Sequence, residues 1–220
     1  MDIFKKFNRI PKHVAIIPDG NRRWAEANGL SKHEGYNFGI KPGVISFDTL
    51  VELGVEEITF FGFTLDNTKR PQIQREAFQK ASVDAVNELA SKNTSLLVVG
   101  KYDSEMFPEE LLTYKERQKF GTGKTKLNFL VNYGWNNDLS KAFEHGNIKG
   151  NISENILSKD ISKIDLVIRP GGRRRLSGML PIQTVYSDIY VTDKMWPEIT
   201  KGDIYDAIEW YQKQDITLGG

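Results

Sequence analysis

Residues 14–24 read VAIIPDGNRRW, an apolar run that stops at a proline and continues into a glycine turn and two arginines. A short apolar run bounded by turn residues is typical of a buried strand. Gly20 and Asn21 tolerate a tight turn, and a helix that begins near Arg22 or Arg23 points free backbone N–H groups away from its body. The stretch therefore predicts a strand that leads into a turn and a helix whose first turn suits an anion.

On both sides of this unit, apolar runs alternate with longer segments of helical period. The predicted strands span residues 14–17, 58–63, 96–99, 127–131, 166–168 and 189–191. The predicted helices span residues 44–53, 71–91, 108–119, 138–145 and 203–214, and two exposed loops span 119–126 and 145–151. This alternation is typical of a mostly parallel, six-stranded sheet flanked by helices on both faces. We therefore predict an α/β fold in which residues 1–220 form a single domain.

The composition excludes several classes of site. The 220 residues carry a formal net charge of +1 and contain no cysteine. Disulfides, thiolate metal sites and cysteine nucleophiles are therefore excluded. A dedicated nucleic-acid-binding protein usually has a clear basic excess, so the balanced charge predicts no nucleic-acid partner.

The N-terminal segment combines apolar and basic residues. Phe7 and Ile10 belong to an apolar stripe with Arg9 beside it, which predicts a short helix packed on the domain. Peripheral membrane contact is the alternative. No signal peptide or bilayer-length apolar run is present, so the expected location is cytoplasmic.

Asp19 stands at the rim of the predicted anion site, where a carboxylate is unfavourable unless a cation lies between it and the anion. Mg²⁺ bridges a carboxylate and phosphate oxygens in this way, and Arg22 and Arg23 are donors suited to phosphate. The alternative is an ordinary helix start with Asp19 as its cap and both arginines solvated.

Residues 63–71 (FTLDNTKRP) place polar and basic groups directly after the second predicted strand. The hydroxyl and amide groups, together with Lys69 and Arg70, favour a rim that faces phosphate. A simple capped loop is the alternative.

Residues 165–177 (DLVIRPGGRRRLS) carry the strongest local signal, because a glycine pair and four arginines follow a buried strand. Arginine runs are usually solvated or bind nucleic acid, but a glycine turn at a strand end favours a small anion in a pocket. Asp188 is a second carboxylate that could hold the metal. Two basic sites and two carboxylates suggest two diphosphates and one Mg²⁺.

Aromatic side chains are abundant enough to line an apolar tunnel, although most aromatic residues in proteins simply pack in the core. The candidates are Trp24, Phe38, Phe47, Phe60, Phe61, Phe63, Phe78 and Tyr133.

Together these motifs make the chain similar to the cis-prenyltransferase family, the family of undecaprenyl diphosphate synthase. The similarity rests on residues 13–25 (HVAIIPDGNRRWA), 63–71, 132–134 (NYG), 165–177 and 186–188 (YSD), which occur in the family's order. The resemblance implies the cis-prenyltransferase fold, with a hydrophobic cleft in each subunit of a homodimer.

The resemblance also implies a reaction, in which an allylic prenyl diphosphate ionises with the help of Mg²⁺ and a second isoprenoid diphosphate attacks it. Asp19 and Asp188 would hold the metal, and Asn67 and Thr64 would lie near the proton that is lost. The residues assigned to the allylic diphosphate are Gly20, Asn21, Arg22, Arg23 and Arg70, with Lys32 and Tyr36 near it. Trp24 and Phe63 are also assigned to substrate binding, without a choice between the two substrates. Those assigned to the second diphosphate are Arg169, Arg175 and Ser177.

The chain departs from the family's pattern around these sites. Lys32 and Tyr36 replace an arginine and a histidine, Asp188 replaces a glutamate, and residues 217–219 (TLG) replace an Arg-x-Gly that reaches across the dimer. Tyr36 and Pro181 resemble the lavandulyl-type members, which join two units head-to-middle. These departures predict head-to-middle condensation to a branched product.

Three other functions compete with this hypothesis. The first is regular head-to-tail synthesis of a cis-polyprenyl diphosphate from isopentenyl diphosphate. The second is a non-catalytic subunit that activates a true synthase, which the retained Asp19 and Arg169 disfavour. The third is a nucleotide- or RNA-binding module that uses the arginine run, and it would show steeply salt-dependent binding.

Overall fold

A computed structural model describes residues 7–143 and 151–215 of the chain. Within these residues, seven strands form one sheet in the order β4-β3-β5-β2-β1-β6-β7. The strands are β1 His13–Ile16, β2 Glu57–Phe61, β3 Thr94–Val99, β4 Gln118–Lys119, β5 Thr125–Leu130, β6 Leu166–Arg169 and β7 Asp188–Val191. All neighbouring strands are parallel except β3 and β4. The predicted α/β fold with a mostly parallel sheet is therefore confirmed.

Five α-helices accompany the sheet in the described residues. They are α1 Asn21–Ala27, α2 Ile40–Glu52, α3 Gln72–Ala90, α4 Trp135–Ser140 and α5 Lys201–Tyr211. Helices α2, α3 and α5 bury their apolar sides against the same face of the sheet, through residues such as Phe47, Leu89 and Ile208. The three longest helices thus pack on one face of the sheet. The alternation of elements had predicted helices on both faces.

The second face of the sheet is covered largely by irregular chain. Ile161, Ile164, Met179 and Leu180 pack there against strand residues such as Val167. Strands β1, β2 and β5 are almost entirely buried, so most of their side chains are apolar, although polar residues such as His13, Glu57 and Asn128 interrupt the runs. This apolar majority is why the sequence pattern identified the strands.

The extra strand β4 corrects two predictions about one region. Residues 108–119 were expected to be helical, but only a 3₁₀ segment at Glu109–Tyr114 forms, and Gln118 and Lys119 instead pair antiparallel with β3. Arg117 stabilises this arrangement because its guanidinium donates to the Ser95 carbonyl at 2.7 Å. The described part of the sheet therefore has seven strands. The two ends of the predicted loop 119–126 belong to strands, residue 119 to β4 and residues 125–126 to β5.

The other helix predictions differ mainly at their ends. Helix α4 begins three residues before the predicted residue 138 and is followed by a 3₁₀ segment at Lys141–Phe143, and residues 144–145 lie outside the described part. Of the predicted loop 145–151, only residue 151 is described.

The described part of the N-terminal segment is not helical. Residues 7–11 have no regular structure, and residues 1–6 lie outside the described part. The Phe7 ring stacks on Tyr205 at 6.0 Å and the Arg9 guanidinium lies 4.0 Å from the Tyr211 ring. This segment therefore packs on helix α5. No helix among the described residues is long and apolar enough to cross a bilayer.

Candidate active site

A polar cleft of about 670 Å³ opens at the carboxyl ends of the central strands. Parallel strands β2, β1 and β6 are neighbours, so the turns that follow them meet at one edge of the sheet. The cleft is lined by Asp19, Gly20, Asn21, Arg22, Arg23, Lys32, Tyr36, Thr64, Asn67, Arg70, Arg169, Arg173, Arg175 and Ser177, among others. Most residues that the sequence assigned to the site are thus brought together.

The Asp19 carboxylate lies among three arginines. Its Oδ2 accepts a hydrogen bond from Arg169 Nη2 at 2.7 Å, and its Oδ1 accepts one from Arg23 Nη2 at 3.3 Å. Arg173 Nε lies 3.8 Å from Oδ2. Burial alone would raise the pKa of Asp19, but the hydrogen bond and charge of Arg169 and the charge of Arg23 hold it below its usual value. Asp19 is therefore a carboxylate at neutral pH.

The glycine turn after β6 brings the chain close to this carboxylate. Gly171 has a φ of +85°, and a Cβ there would lie 2.6 Å from Arg23 Nη2 and 3.2 Å from the Asp19 carbonyl oxygen. Arg23 Nη2 also donates to the Gly171 carbonyl at 2.9 Å. A side chain at this position would be strained by the left-handed backbone and would displace Arg23, so the glycine allows the two basic segments to share one cleft.

Arg169 is buried beneath the turn that it supports. Its Nη1 donates to Ser177 Oγ at 2.9 Å and also to the Arg175 carbonyl. Its Nε is buried and has no hydrogen-bond partner among the described residues. A guanidinium with spare donor capacity beside an open cleft is suited to an anionic ligand.

Asp188 lies at the amino ends of the parallel strands, whereas the cleft lies at their carboxyl ends, and this corrects its predicted role. It is the first residue of β7 and stands opposite Leu166, level with Val14 of β1, whereas Asp19 lies beyond the carboxyl end of β1. The strand rise puts the two levels roughly 10 Å apart along the strands. Asp188 faces Arg9 instead, at 3.7 Å. A metal site shared by Asp19 and Asp188 is therefore wrong within one chain.

The remaining donors fit Mg²⁺ only in part. No cluster of three or more His, Asp or Glu side chains able to hold a metal occurs in residues 7–143 and 151–215. Mg²⁺ is often held by one carboxylate together with phosphate oxygens of the substrate. Asp19 alone fits that pattern, provided that a diphosphate supplies the other ligands.

The loop after β2 positions Thr64 and Asn67 at the cleft. The Thr64 N–H donates to Asn67 Oδ1 at 3.1 Å, and residues Leu65–Lys69 form a 3₁₀ turn. Thr64 also bridges to Tyr133 of the neighbouring connection. A Cβ at Gly134 would lie 2.5 Å from Leu65 Cδ1, so the glycine lets the loop after β2 pack closely against the connection after β5. The side-chain oxygen of Asn67, Oδ1, already accepts the hydrogen bond from the Thr64 N–H. The side-chain NH₂ group of Asn67 is therefore the part that is left for a ligand.

Arg70, Tyr36 and Phe78 form a small cluster at the inner end of the cleft. Arg70 Nη1 donates to the Tyr36 hydroxyl at 3.0 Å, and the Tyr36 ring stacks on Phe78 at 4.6 Å. Burial lowers the pKa of Arg70, although a guanidinium remains charged at neutral pH.

Three predicted binding residues have other surroundings than expected. Phe63 is fully buried behind Phe78, with the ring centroids 5.3 Å apart, and it does not line the cleft. Trp24 also lies outside the cleft lining and contacts Phe38 at 4.7 Å. Lys32 does line the cleft but pairs with Glu26 at 3.1 Å. Direct substrate contact by Phe63 and Trp24 is therefore not supported.

A second, apolar cavity of about 70 Å³ adjoins the polar cleft. The two share Pro18, Asn21, Tyr36, Gly62 and Phe78, so Tyr36 and Phe78 stand at the junction between them. The remaining lining comes from α2, α3, the sheet and Trp196, and its members include Gly39, Gly43, Phe60, Ala85, Leu89 and Phe129.

Some lining residues were missed by the sequence analysis. Arg173 was seen only as part of the arginine run, and neither Phe129 nor Trp196 was proposed for the apolar wall. Phe129 could have been found from the alternation of β5, which places it on the same face as Leu127. Trp196 is distant in sequence from the other lining residues, and tertiary contacts bring it there: its indole N–H donates to the Gly39 carbonyl at 2.8 Å and its backbone N–H donates to the Asp19 carbonyl at 2.9 Å.

Comparisons with known proteins agree with this geometry. A family model described as "Putative undecaprenyl diphosphate synthase" matches residues 17–219. An isoprenyl transferase of Fusobacterium nucleatum is 33% identical over 96% of this chain and 96% of its own length. A farnesyl-diphosphate-specific ditrans,polycis-undecaprenyl-diphosphate synthase of Aliivibrio fischeri is 28% identical over 98% of this chain and 91% of its own length.

The fold is likewise similar to a solved structure. Lavandulyl diphosphate synthase from Lavandula x intermedia, in complex with dimethylallyl diphosphate, superposes with a TM-score of 0.80. The identity is 23%, and the match covers 96% of this chain and 98% of the other. At that identity the likeness shows a common fold.

Proposed function

The chain belongs to the cis-prenyltransferase family of undecaprenyl diphosphate synthase, and on this premise we propose that it joins an allylic prenyl diphosphate head-to-tail to isopentenyl diphosphate. That the protein is a prenyltransferase follows from its relatives. The observation that carries the finer proposal is the junction of an arginine-lined cleft around Asp19 with an apolar cavity. A prenyl diphosphate has the same two halves, one anionic and one apolar.

The allylic diphosphate binds at the side of the cleft formed by α1 and the loop after β2. Arg22, Arg23 and Arg70 supply the charged donors there, and Gly20 and Asn21 bring the backbone close. Gly20 has a φ of +106°, and a Cβ would lie 2.9 Å from Met195 Cβ, so a larger residue would displace this turn. The prenyl tail then passes beside the stacked rings of Tyr36 and Phe78 into the apolar cavity.

Relatives of this kind generally need a divalent metal, and Mg²⁺ is the ion that we propose here. Asp19 would hold it together with the diphosphate, and the ion would neutralise negative charge on the departing diphosphate. Asp19 forms ion pairs with Arg169 and Arg23. The arrival of a diphosphate gives both arginines a new anion and frees the carboxylate.

The acceptor diphosphate binds on the other side of the cleft, at Arg169, Arg175 and Ser177. These residues lie on the glycine turn next to Asp19, so the two substrates are held side by side. The arginines are already in position to stabilise the negative charge that develops on the leaving diphosphate. The apolar wall protects the allylic cation from water. Thr64 and Asn67 line the same cleft, and we assign them to the positioning of the group that takes the released proton.

We also propose that the chain forms a homodimer, as the family resemblance implies. Light contact with a membrane surface is a separate proposal that rests on the apolar and basic residues of the N-terminal segment. The C-terminal residues 217–219, which would reach across a dimer, lie outside the described residues.

Head-to-middle condensation to a branched, lavandulyl-type product is the second candidate. Tyr36, the residue that suggested it, does lie at the junction of the cleft and the cavity. The curated relatives are named for isoprenyl transfer and undecaprenyl diphosphate synthesis, so the regular reaction is preferred. The relatives also disfavour a non-catalytic subunit.

One assay separates these functions. The purified protein is incubated with Mg²⁺ and dimethylallyl, geranyl or farnesyl diphosphate, with and without isopentenyl diphosphate, and the products are identified by mass spectrometry after removal of the diphosphate. Linear cis products that require isopentenyl diphosphate support the proposal. Branched products formed without it support head-to-middle condensation, and no transfer with any pair overturns both.

A further inference from the structure

Trp135 is an exposed aromatic residue of the polar cleft that the proposed function does not use. It is the first residue of helix α4, and 51% of its surface is exposed. Its indole lies against Gly178, where a Cβ would be 2.7 Å from Trp135 Cδ1 and 3.5 Å from Nε1. Because Gly178 directly follows Ser177, the tryptophan stands beside the proposed site of the acceptor diphosphate.

The contact between Trp135 and Gly178 belongs to the acceptor side of the cleft. Met179, which follows Gly178, and Tyr133, which lies two residues before Trp135, both pack in the core on the second face of the sheet. Phe78, which the allylic tail passes, packs instead in the core on the face that α2, α3 and α5 cover. Trp135 and the allylic tail therefore lie on opposite sides of the cleft.

A buried network holds the helix that carries Trp135. Asp138 is 1% exposed and accepts hydrogen bonds from the Tyr133 hydroxyl at 2.7 Å and from the Ser158 N–H and hydroxyl at 2.9 and 2.7 Å. Tyr133 also bridges to Thr64 of the loop after β2. The indole takes no part in these hydrogen bonds, so it is positioned by the network without being needed to hold it.

The acceptor has a hydrocarbon part that needs an apolar contact. Isopentenyl diphosphate carries a five-carbon alkene, and the arginines that bind its diphosphate offer that alkene little apolar surface. Phe61 also lines the cleft and packs in the second-face core, but it is only 5% exposed. The half-exposed indole of Trp135 is a flat apolar surface next to Ser177, and a ligand that covers it removes that surface from water.

From this geometry we infer that Trp135 is a specificity-determining residue that binds the five-carbon chain of the acceptor against its indole. The inference rests on the proposed function and adds to it the residue that recognises the hydrocarbon of the acceptor. Arg169, Arg175 and Ser177 then bind the diphosphate, and Trp135 favours a diphosphate that carries an alkene.

Two acceptor ligands isolate this contact, because methyl diphosphate has the diphosphate of isopentenyl diphosphate and lacks four of its five carbons. Each ligand is titrated by calorimetry into protein that is saturated with Mg²⁺ and unreactive farnesyl thiolodiphosphate, so that the allylic site is already filled. The wild type should bind isopentenyl diphosphate about a hundredfold more tightly than methyl diphosphate, because the additional carbons are buried.

Substitution of Trp135 should reduce this preference without weakening the binding of methyl diphosphate. Trp135→Ala should lower the preference about tenfold, because one side of the five-carbon chain loses its contact, and Trp135→Phe should retain most of it. Trp135→Gln, which fills part of the space without an apolar ring, replaces Trp135→Ala if that variant does not fold. Phe143→Ala is the matched control and should keep the wild-type preference, since Phe143 is an exposed aromatic residue shortly after α4 that does not line the cleft.

Three results would overturn the inference. A wild type that does not distinguish the two ligands has no site for the five-carbon chain. An unchanged preference in the Trp135 variants would remove the indole from that site. An equal loss of affinity for both ligands would mean that Trp135 only supports the turn at Gly178.

Steady-state kinetics separates this inference from the proposed function. Trp135→Ala should raise the KM for isopentenyl diphosphate about tenfold and leave the KM for the allylic diphosphate unchanged. Head-to-tail synthesis with the same KM for isopentenyl diphosphate in the wild type and in the variant would overturn the inference and leave the reaction standing. Loss of the binding preference in Trp135→Ala, in a protein whose wild type makes no head-to-tail product, would sustain the inference and overturn the proposed reaction.

Discussion

A cluster of charged and polar side chains lies at each end of the central strands. We call these ends the amino edge and the carboxyl edge, and the two clusters differ in whether every buried polar group has a hydrogen-bond partner. At the amino edge lies a network of His13, Glu57, Thr59, Arg117 and Asn128, which we call the amino-edge network. At the carboxyl edge lie Asp19 and the arginines of the polar cleft.

The amino-edge network is closed. Arg117 donates to Asn128 Oδ1 at 2.8 Å, and Asn128 Nδ2 donates to Glu57 at 2.8 Å and to Thr59 Oγ1 at 3.0 Å. Thr59 Oγ1 lies 2.8 Å from His13 Nε2, and His13 Nδ1 lies near the carbonyls of residues 162 and 163. Because Nδ1 faces two acceptors, it carries the proton, and Nε2 accepts the threonine hydroxyl.

The carboxyl edge is open by contrast. Arg169 Nε and Asn21 Oδ1 are buried without a hydrogen-bond partner among the described residues, and the arginines line a large cleft. The difference teaches that buried charge by itself does not mark an active site in this protein. A cluster with complete partners stabilises the fold, and one with spare donors beside a cleft is available to a ligand.

The largest expected effect is the loss of turnover in Asp19→Ala. Removal of the carboxylate takes away the ligand for Mg²⁺ and leaves the arginines with unopposed charge, so kcat should fall about a thousandfold. The circular dichroism spectrum should not change, because no core volume is lost. Asp103→Ala, at an exposed loop position outside the cleft, should retain wild-type kcat, and near-wild-type turnover of Asp19→Ala would contradict its role.

Glu57→Ala should have the opposite pattern, a loss of stability with little change in turnover. It leaves buried donors of Asn128 and of the residue 162 backbone without their acceptor, which should lower the free energy of unfolding by about 2–3 kcal/mol. Urea titration gives this value. The neighbouring Glu56 is exposed, and Glu56→Ala should unfold like the wild type; equal stability of the two variants would show that the network is dispensable.

His13 should make stability depend on pH. Burial lowers the pKa of His13 below its ordinary 6.5, even though the charge of Glu57 acts to raise it. The unfolded chain therefore binds more protons than the folded one below about pH 6.5, so stability is full above that pH and falls as the solution is acidified, by at most about 1.4 kcal/mol per pH unit.

Urea unfolding between pH 7.5 and 5 measures this slope, since the pKa of Glu57 is held below its ordinary 4.5 and acts only at lower pH. The slope should be much reduced in His13→Asn and retained in His33→Asn. A wild-type stability that does not change over this range would exclude the buried neutral imidazole.

The smallest effect is expected for Tyr36→Phe. The variant keeps the ring stacked on Phe78 and removes the hydroxyl that accepts from Arg70, so the KM for the allylic diphosphate should change by about fivefold with a smaller change in kcat. Tyr102→Phe, which loses a hydrogen bond to the Val98 carbonyl away from the cleft, should leave the KM unaltered. Equal KM values for both variants would remove Tyr36 from substrate binding.

Much of the fold and of the site could be predicted from local sequence. Strands β1, β2 and β5 are almost entirely buried, so most of their residues are apolar and the strands could be recognised from the sequence. Asp19 lies shortly after β1, Arg169 ends β6 and Ser177 lies in the turn region after β6, and parallel topology brings the carboxyl ends of these neighbouring strands together.

Other features depended on which strand end or face a residue occupies. Asp188 stands at the start of its strand, and the parallel register of β6 and β7 places it at the edge opposite to Asp19. Strand β4 is too short to have a period, and it exists because the edge of β3 accepts it.

By itself the sequence determined the α/β class, the parallel sheet and the segments that carry anion-binding groups, because strand burial and turn chemistry are local properties of the chain. The tertiary structure decided which carboxylate joins the arginines and which residues line the apolar cavity. Those outcomes depend on strand order and register, which place residues as distant as Phe60 and Phe129 side by side and separate Asp19 from Asp188.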